Sequence, residues 1–202
     1  MSTVPEVRTG RPSRDEVRRA LLDAAAQVFA RRGIDAASLD DVAAAAGFTK
    51  GAVYSNFGSK DGLVAALADD RVTAYLDLGL DAVSDVEVPF AVRVQGLGDQ
   101  LTSAFDEQRD WTLLFLELWQ RAVRSGRADT AFRDRRRGLH ASITAAIVHH
   151  FGEAGTPMPL PPEEMATVLM ALSNGLAIER HADPGAVPDD LLGRVLTLLM
   201  AR

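Results

Sequence analysis

The chain has 202 residues and is 47% hydrophobic, enough for one ordinary domain or for a small domain joined to a larger one, and too apolar for a disordered chain. It has no cysteine, which excludes disulfides and cysteine-ligated zinc. It also lacks a signal-peptide-like leader and any apolar run near the roughly 20 residues of a membrane helix, so a cytoplasmic location is expected. The net charge of −6 is uneven: residues 1–62 carry 9 basic against 8 acidic side chains (net +1), and residues 63–202 carry 13 against 20 (net −7). Arg8, Arg11, Arg14, Arg18 and Arg19 crowd the start of the chain. Such a local patch can hold a phosphate backbone while an acidic remainder keeps the molecule soluble.

Residues 1–13 are expected to form a flexible basic leader. Arg14–Arg31 reads as a first helix, with Val17, Leu21, Ala24 and Val28 at helical spacing, Phe29 beside them, and Gly33 past its last turn. Ser38 is a suitable N-cap for a second helix, with Asp41 in the capping-box position. Leu39, Val42, Ala43 and Ala46 give that helix an apolar face. Gly47 supplies a turn, Phe48 is expected to plug the core, and Thr49 caps a short third helix, KGAVYSNF. Val53 and Phe57, four apart, should face inward. Lys50, Ala52, Tyr54, Ser55 and Asn56 are left for the outer surface, where small or flat side chains let the helix enter a major groove end-first. Ser59 caps a fourth helix. Lys60 in its first turn opposes the helix dipole, a misfit that a phosphate partner would explain.

This stretch has the form of a helix-turn-helix. The segment ALLDAAAQVFARRG, then Ser38, then AGFTKGAVYSNFGSKDGL resembles the tetracycline-repressor (TetR) family of bacterial transcriptional regulators. Members show Ala-Gly-Val-Ser-x-Gly-x-Leu-Tyr-x-His-Phe-x-x-Lys-x-x-Leu at this place. The match runs without a gap over residues 17–63. Phe48 stands for valine, Thr49 for serine and Asn56 for histidine. The resemblance implies that Tyr54, Asn56 and Lys60 hold backbone phosphates with Ser38 and Thr49 assisting, and that Lys50, Ala52 and Gly51 face base edges. Phosphate contacts position and base contacts specify. It further implies a homodimer on double-stranded operator DNA, with an apolar or amphipathic effector bound among the later helices.

From residue 61 the chain reads as further helices: 61 to about 80; Phe90 to about Gln108, weakened by Gly96 and Gly98; WTLLFLELWQRAVRSG after Asp110; Thr130–Phe151; Glu163 to about Arg180; and Leu191–Met200. The tryptophan-bearing helix is apolar nearly all round and should be central. Trp111, Phe115 and Trp119 either fill the core or line a ligand cavity. Polar groups able to orient a ligand are Gln95, Gln100, Glu117, His140 and Asn174. Arg133, Arg135, Arg136 and Arg137 read as solvated. The histidines, His140, His149, His150 and His181, show no metal-ligand spacing, and neither a nucleophile elbow nor a phosphate loop is present, so no metal, cofactor or catalytic site is expected.

The last two helices carry apolar stripes, Leu169, Leu172 and Leu176 in one and Leu192, Val195, Leu196 and Leu199 in the other. The resemblance implies that they pair across a twofold axis, with Ala166, Ala171, Ser173, Gly175 and Ala177 allowing close approach. The expected architecture is all-α: a three-helix helix-turn-helix head over residues 14–60 and a helical effector-binding and dimerisation domain over residues 61–202. The expected function is a ligand-responsive repressor. The competing reading is a ligand-carrying or interaction protein with a vestigial head.

Overall fold

The computed structural model describes residues 12–200 apart from 86, 108, 125–129 and 156. Residues 1–11 of the expected leader, with Arg8 and Arg11, lie outside the described residues, and Ser13 belongs to the cap of α1. Nine helices and no strand occur among the described residues: α1 (Arg14–Arg32), α2 (Leu39–Ala46), α3 (Lys50–Phe57), α4 (Lys60–Val83), α5 (Phe90–Glu107), α6 (Arg109–Arg124), α7 (Thr130–Ala154), α8 (Pro162–Ala182) and α9 (Leu191–Met200). None of these is long and apolar enough to cross a membrane. The chain divides into two compact units, Met1–Val64 and Ala65–Arg202, the division falling inside α4.

The first unit is held by local caps and a small core. Ser13 caps α1 in a full capping box with Glu16, so two orphan N–H groups are satisfied reciprocally. The S-x-x-E pattern that signals this box stands in the sequence at Ser13 and Glu16. Leu21, Leu22, Ala25 and Phe29 of α1 are buried, as are Val42 of α2 and Val53 of α3. Val17 and Val28 are only half-buried, so the inward stripe of α1 runs through Leu21, Leu22 and Phe29 instead. Phe48 and Phe57 are also half-buried, Phe57 lying under the Arg18 guanidinium at 4.9 Å.

The second unit is built around α5. Its core joins Val94, Leu97, Leu101 and Phe105 of α5 with Ile147 and Phe151 of α7, Met165, Ala166 and Ala177 of α8, and Leu192 and Leu196 of α9. Gly96 and Gly98 do not interrupt α5. Gly98 is required where it stands: a Cβ there would overlap the backbone of Gly193 and lie 2.9 Å from the carbonyl carbon of Leu192. Two helices cross there at a separation that leaves no room for side chains. Arg180 ties three segments together, giving bonds of 2.6 and 2.7 Å to Asp106 of α5, 2.6 Å to Asp189 and 2.8 Å to the Val187 carbonyl. The buried Arg93 donates to the Val83 carbonyl at 2.6 Å and so satisfies the end of α4.

Helix α6 is not buried all round. Trp111, Leu114, Leu118 and Ala122 face the core, whereas Leu113, Trp119 and Val123 are exposed.

Candidate nucleic-acid interface and ligand cavity

The reading helix is set by its caps. Ser38 Oγ accepts from the Asp41 N–H at 3.1 Å, and the Asp41 carboxylate accepts from the Ser38 N–H at 2.9 Å. The Ser38 hydroxyl, which donates to the Asp41 carboxylate at 2.7 Å, and the Ser38 N–H hold that carboxyl below its ordinary value, with Arg32 at 2.7 Å adding to the effect. Gly47 ends α2 in the left-handed region (φ 73°), a conformation costly for a residue with a Cβ, and sends the chain into α3. Thr49 Oγ1 accepts the Ala52 N–H at 3.3 Å. Gly58 closes α3, and Ser59 Oγ accepts the Gly62 N–H at 2.9 Å to open α4.

Lys50, Gly51, Tyr54 and Ser55 are exposed on α3, and Ala52 and Asn56 are half-buried. Tyr54 is 49% exposed and its hydroxyl makes no hydrogen bond among the described residues. The other polar groups have partners inside the unit. Lys50 Nζ pairs with Asp40 at 2.7 Å, which raises its pKa. Asn56 Nδ2 donates to the Ala52 carbonyl at 2.8 Å. Lys60 Nζ donates to the Asp35 carbonyl at 3.0 Å, so its poor fit with the helix dipole has an answer within the unit and does not by itself require a phosphate. A Cβ at Gly51 would meet only Thr49 Oγ1, at 3.7 Å, so no contact within the unit demands glycine.

The second unit holds a half-open cavity of about 220 Å³. Its wall is mostly apolar, built from Val72, Leu76 and Leu80 of α4, Phe105 of α5 and Ile143 of α7 among others. Trp111, Phe115 and Asn174 line it as the sequence suggests. Five other expected residues do not. Gln95 bonds Asp99 at 2.9 Å and packs at Gly193, on the α9 side of its helix. His140 Nε2 lies 2.9 Å from the Glu163 carbonyl and 3.0 Å from Thr167 Oγ1, joining α7 to α8. Trp119 is 43% exposed, one turn beyond the wall. Gln100 and Glu117 are also absent from the wall.

The sequence reading missed Tyr75, Arg135, Arg136 and His150, which do line the cavity. Burial pushes the Tyr75 phenol up to about 12 and pulls His150 below its ordinary value, with neighbouring positive groups adding to the effect. The arginine run is therefore not uniformly solvated: Arg135 pairs with Asp69, Arg133 donates to the Ala122 carbonyl at 3.3 Å, and Arg136 lies over Phe115 and Trp119. His149 and His150 also meet Glu153, at 3.3 and 3.5 Å, so the three could offer ligand atoms to a cation, a grouping the histidine spacing did not suggest.

The stripes of α8 and α9 need re-reading as well. Leu192 and Leu196 are 0% and 1% exposed within one protomer, where they belong to the core beside α5. Leu169, Leu172 and Leu176 pack against the same core, and Val195 is half-buried. These six are therefore buried or half-buried without a partner chain. The exposed apolar and small residues on these helices are Val168, Ala171, Gly175, Leu198 and Leu199.

A capped helix-turn-helix joined to a helical unit with its own apolar cavity defines a DNA-binding regulator. Residues 21–67 match bacterial regulatory proteins of the tetR family, and residues 91–201 match the C-terminal part of BetI-type transcriptional repressors. The chain belongs to the TetR family of bacterial transcriptional regulators. It is 28% identical over 194 residues to the HTH-type transcriptional regulator TtgR of Pseudomonas putida, covering 94% of this chain and 90% of that protein. Other HTH-type regulators, among them a repressor of Mycobacterium tuberculosis, are 46% identical over 56 residues, 28% of this chain and 30% of their own length. A Rhodococcus structure described as a TetR-family regulator superposes with a TM-score of 0.71 at 25% identity, covering 92% of this chain and 99% of that one. A regulator from Saccharomonospora viridis, solved in complex with choline, superposes with a TM-score of 0.69 at 20% identity, covering 93% and 97% of the two chains. The protein is thus a DNA-binding transcriptional regulator and not an enzyme.

Proposed function

We propose that this regulator is a repressor that binds a palindromic operator in the cytoplasm as a homodimer and leaves it when a small apolar or amphipathic molecule enters the cavity. The observation that carries the reading is the apolar cavity of about 220 Å³ in the second unit, walled in part by α4, the helix whose first residues belong to the DNA-reading unit. The volume exceeds the roughly 150 Å³ of an apolar cavity that takes up benzene. A ligand that favours one arrangement of α4 shifts the population of DNA-competent dimers, and DNA must weaken the ligand by the same factor.

In this reading Tyr54, with Asn56 and Lys60 freed from their internal partners and Ser38 and Thr49 assisting, contacts phosphates. Lys50, Gly51 and Ala52 approach base edges. Gly51, which nothing in the unit requires, keeps that approach open. Two copies associate through the face of Val168, Ala171, Gly175, Leu198 and Leu199. A Cβ at Gly175 meets nothing within 4 Å in the protomer, so a glycine there suits close approach by a partner helix. Two recognition helices must then stand about 34–36 Å apart, or a multiple of one turn.

The test is selection of duplexes from genomic DNA, followed by retention of the selected duplex in the presence of a metabolite library. Recovery of a palindrome, and its release by at least one apolar compound, is the expected result. A folded dimer that selects no duplex would refute the operator assignment, and a selected duplex that no compound releases would refute the effector assignment.

A further inference from the structure

We infer that the cavity takes an amphipathic anion, an apolar chain or ring system ending in a carboxylate, and that Arg136 is the residue that pairs with its head group. This rests on the effector reading above and names the chemical class of ligand for that same cavity.

The charge on the wall is one-sided. Arg135 and Arg136 line the cavity, and among the described residues no aspartate or glutamate does. Arg135 is already neutralised, since both arms of its guanidinium bond the Asp69 carboxylate, the second at 3.2 Å. Arg136 has no hydrogen bond and no carboxylate partner among the described residues. Its guanidinium carbon lies 5.7 Å from the ring of Phe115, a wall residue, and 6.0 Å from the ring of Trp119, which is half-exposed outside the wall. The group therefore stands at the rim, between the apolar interior and solvent.

Aromatic faces attract a cation but accept none of the in-plane N–H bonds that a guanidinium offers. Burial pulls the Arg136 pKa down, but a guanidinium keeps its charge in proteins. A half-buried, unpaired cation on an apolar wall is unfavourable until an anion meets it. The planar fork matches a carboxylate with two parallel hydrogen bonds. The remaining polar wall groups add no competing charge: Tyr75 and His150 are both held toward their neutral forms, and Thr112, Ser173 and Asn174 are uncharged. An anion gains a partner at Arg136. A neutral chain gains only apolar burial, and a cation is repelled.

The experiment uses the full-length protein and three chains of equal length, decanoate, decanol and decylamine, each below its micelle concentration. Binding is read by calorimetry at pH 7 and by the fluorescence of Trp111 and Trp119. Decanoate is expected to bind roughly ten- to a hundredfold more tightly than decanol, the range of a charge-assisted hydrogen-bonded pair, and decylamine is expected to bind most weakly. Arg136→Gln should bring decanoate down to about the affinity that decanol shows for the same variant. Arg136→Lys, which keeps the charge but loses the fork, should restore part of the preference. Equal affinity of decanoate and decanol in the unaltered protein, or a preference that survives in Arg136→Gln, overturns the anion assignment and leaves the effector reading standing. Failure of all three chains to bind the folded protein also overturns the anion assignment, while the effector reading is decided separately by release of the selected duplex.

Discussion

Gly96 and Gly98 stand two residues apart on α5, and alanine should act on them with opposite sign. In a helix interior alanine is favoured over glycine by about 0.5–1 kcal/mol, because glycine loses more backbone freedom on folding. At Gly96 a Cβ meets nothing within 4 Å, so that gain is realised in full. At Gly98 the same atom would overlap the backbone of Gly193 and come within 2.9 Å of the Leu192 carbonyl carbon. Backbone cannot swing aside as a side chain can, so α5 and α9 must part and loosen the contacts of Leu192 and Leu196 with the core. Overpacking of this kind costs about 1–3 kcal/mol. Set against the helix gain, the net loss for Gly98→Ala is up to about 2.5 kcal/mol. For a chain of this length, the expected change in melting temperature is a rise of about 1–4 °C for Gly96→Ala and a fall of up to about 10 °C for Gly98→Ala. Both tryptophans lie in the second unit, so thermal melting followed by their fluorescence at one fixed protein concentration reports the unit that holds the crossing. If both alanines stabilise equally, α5 and α9 do not cross at Gly98 and Gly193, and the assignment of α9 to the protomer core is wrong.

Gly175→Leu should leave the protomer folded by circular dichroism yet shift the mass in light scattering from twice the 21.7 kDa chain toward one chain, because the added side chain meets open space in the protomer but a partner helix in the proposed dimer. An unchanged dimer would remove Gly175 from the interface. Asp40→Asn frees Lys50 and takes a negative charge from the DNA-facing side. Retention assays should show duplex affinity raised by up to about fivefold, the scale of an exposed ion pair, and unchanged or weaker binding would contradict the role given to Lys50. Tyr54→Phe should weaken all duplexes alike and reduce the slope of log affinity against log salt only slightly, whereas Lys60→Gln should reduce that slope by about 0.9 if Lys60 leaves Asp35 for a phosphate. The Asp106 carboxyl is lowered by its bonds to Arg180. A folded value below the unfolded one contributes stability that is fully present above the ordinary pKa of 3.8 and is lost as pH falls through the folded value. Asp106→Asn should therefore flatten the acid limb of the melting temperature below about pH 4, and an unaltered limb would show that the Arg180 clamp adds nothing.

What was legible in the sequence follows the range of the interactions involved. The head could be read because its geometry is fixed by neighbours three residues apart: Ser38 with Asp41, Thr49 with Ala52, Ser59 with Gly62. A capping residue announces itself locally, and a helix-turn-helix is little more than three caps and a small core. The internal partners of Lys50 and Lys60 were not legible, since Asp40 and Asp35 lie 10 and 25 residues away and meet them only once the three helices pack. In the second unit, helix positions could be read but not which face met which neighbour. Leu192 and Leu196 look the same in sequence whether α9 packs on α5 or on a second copy, and only the Gly98–Gly193 crossing decides it. The arginine run hid the most informative residue of the cavity, because composition alone marks four arginines as a solvated face. Helical spacing carried the finer signal: Phe132, Arg136, Leu139, Ile143, Ala146 and His150 recur at three and four, and all of them line the wall. A charged residue inside an otherwise apolar stripe either has a partner in the fold or awaits one from outside. Arg135 has Asp69, and Arg136 has only two aromatic faces, so the demand for an anion falls on the ligand.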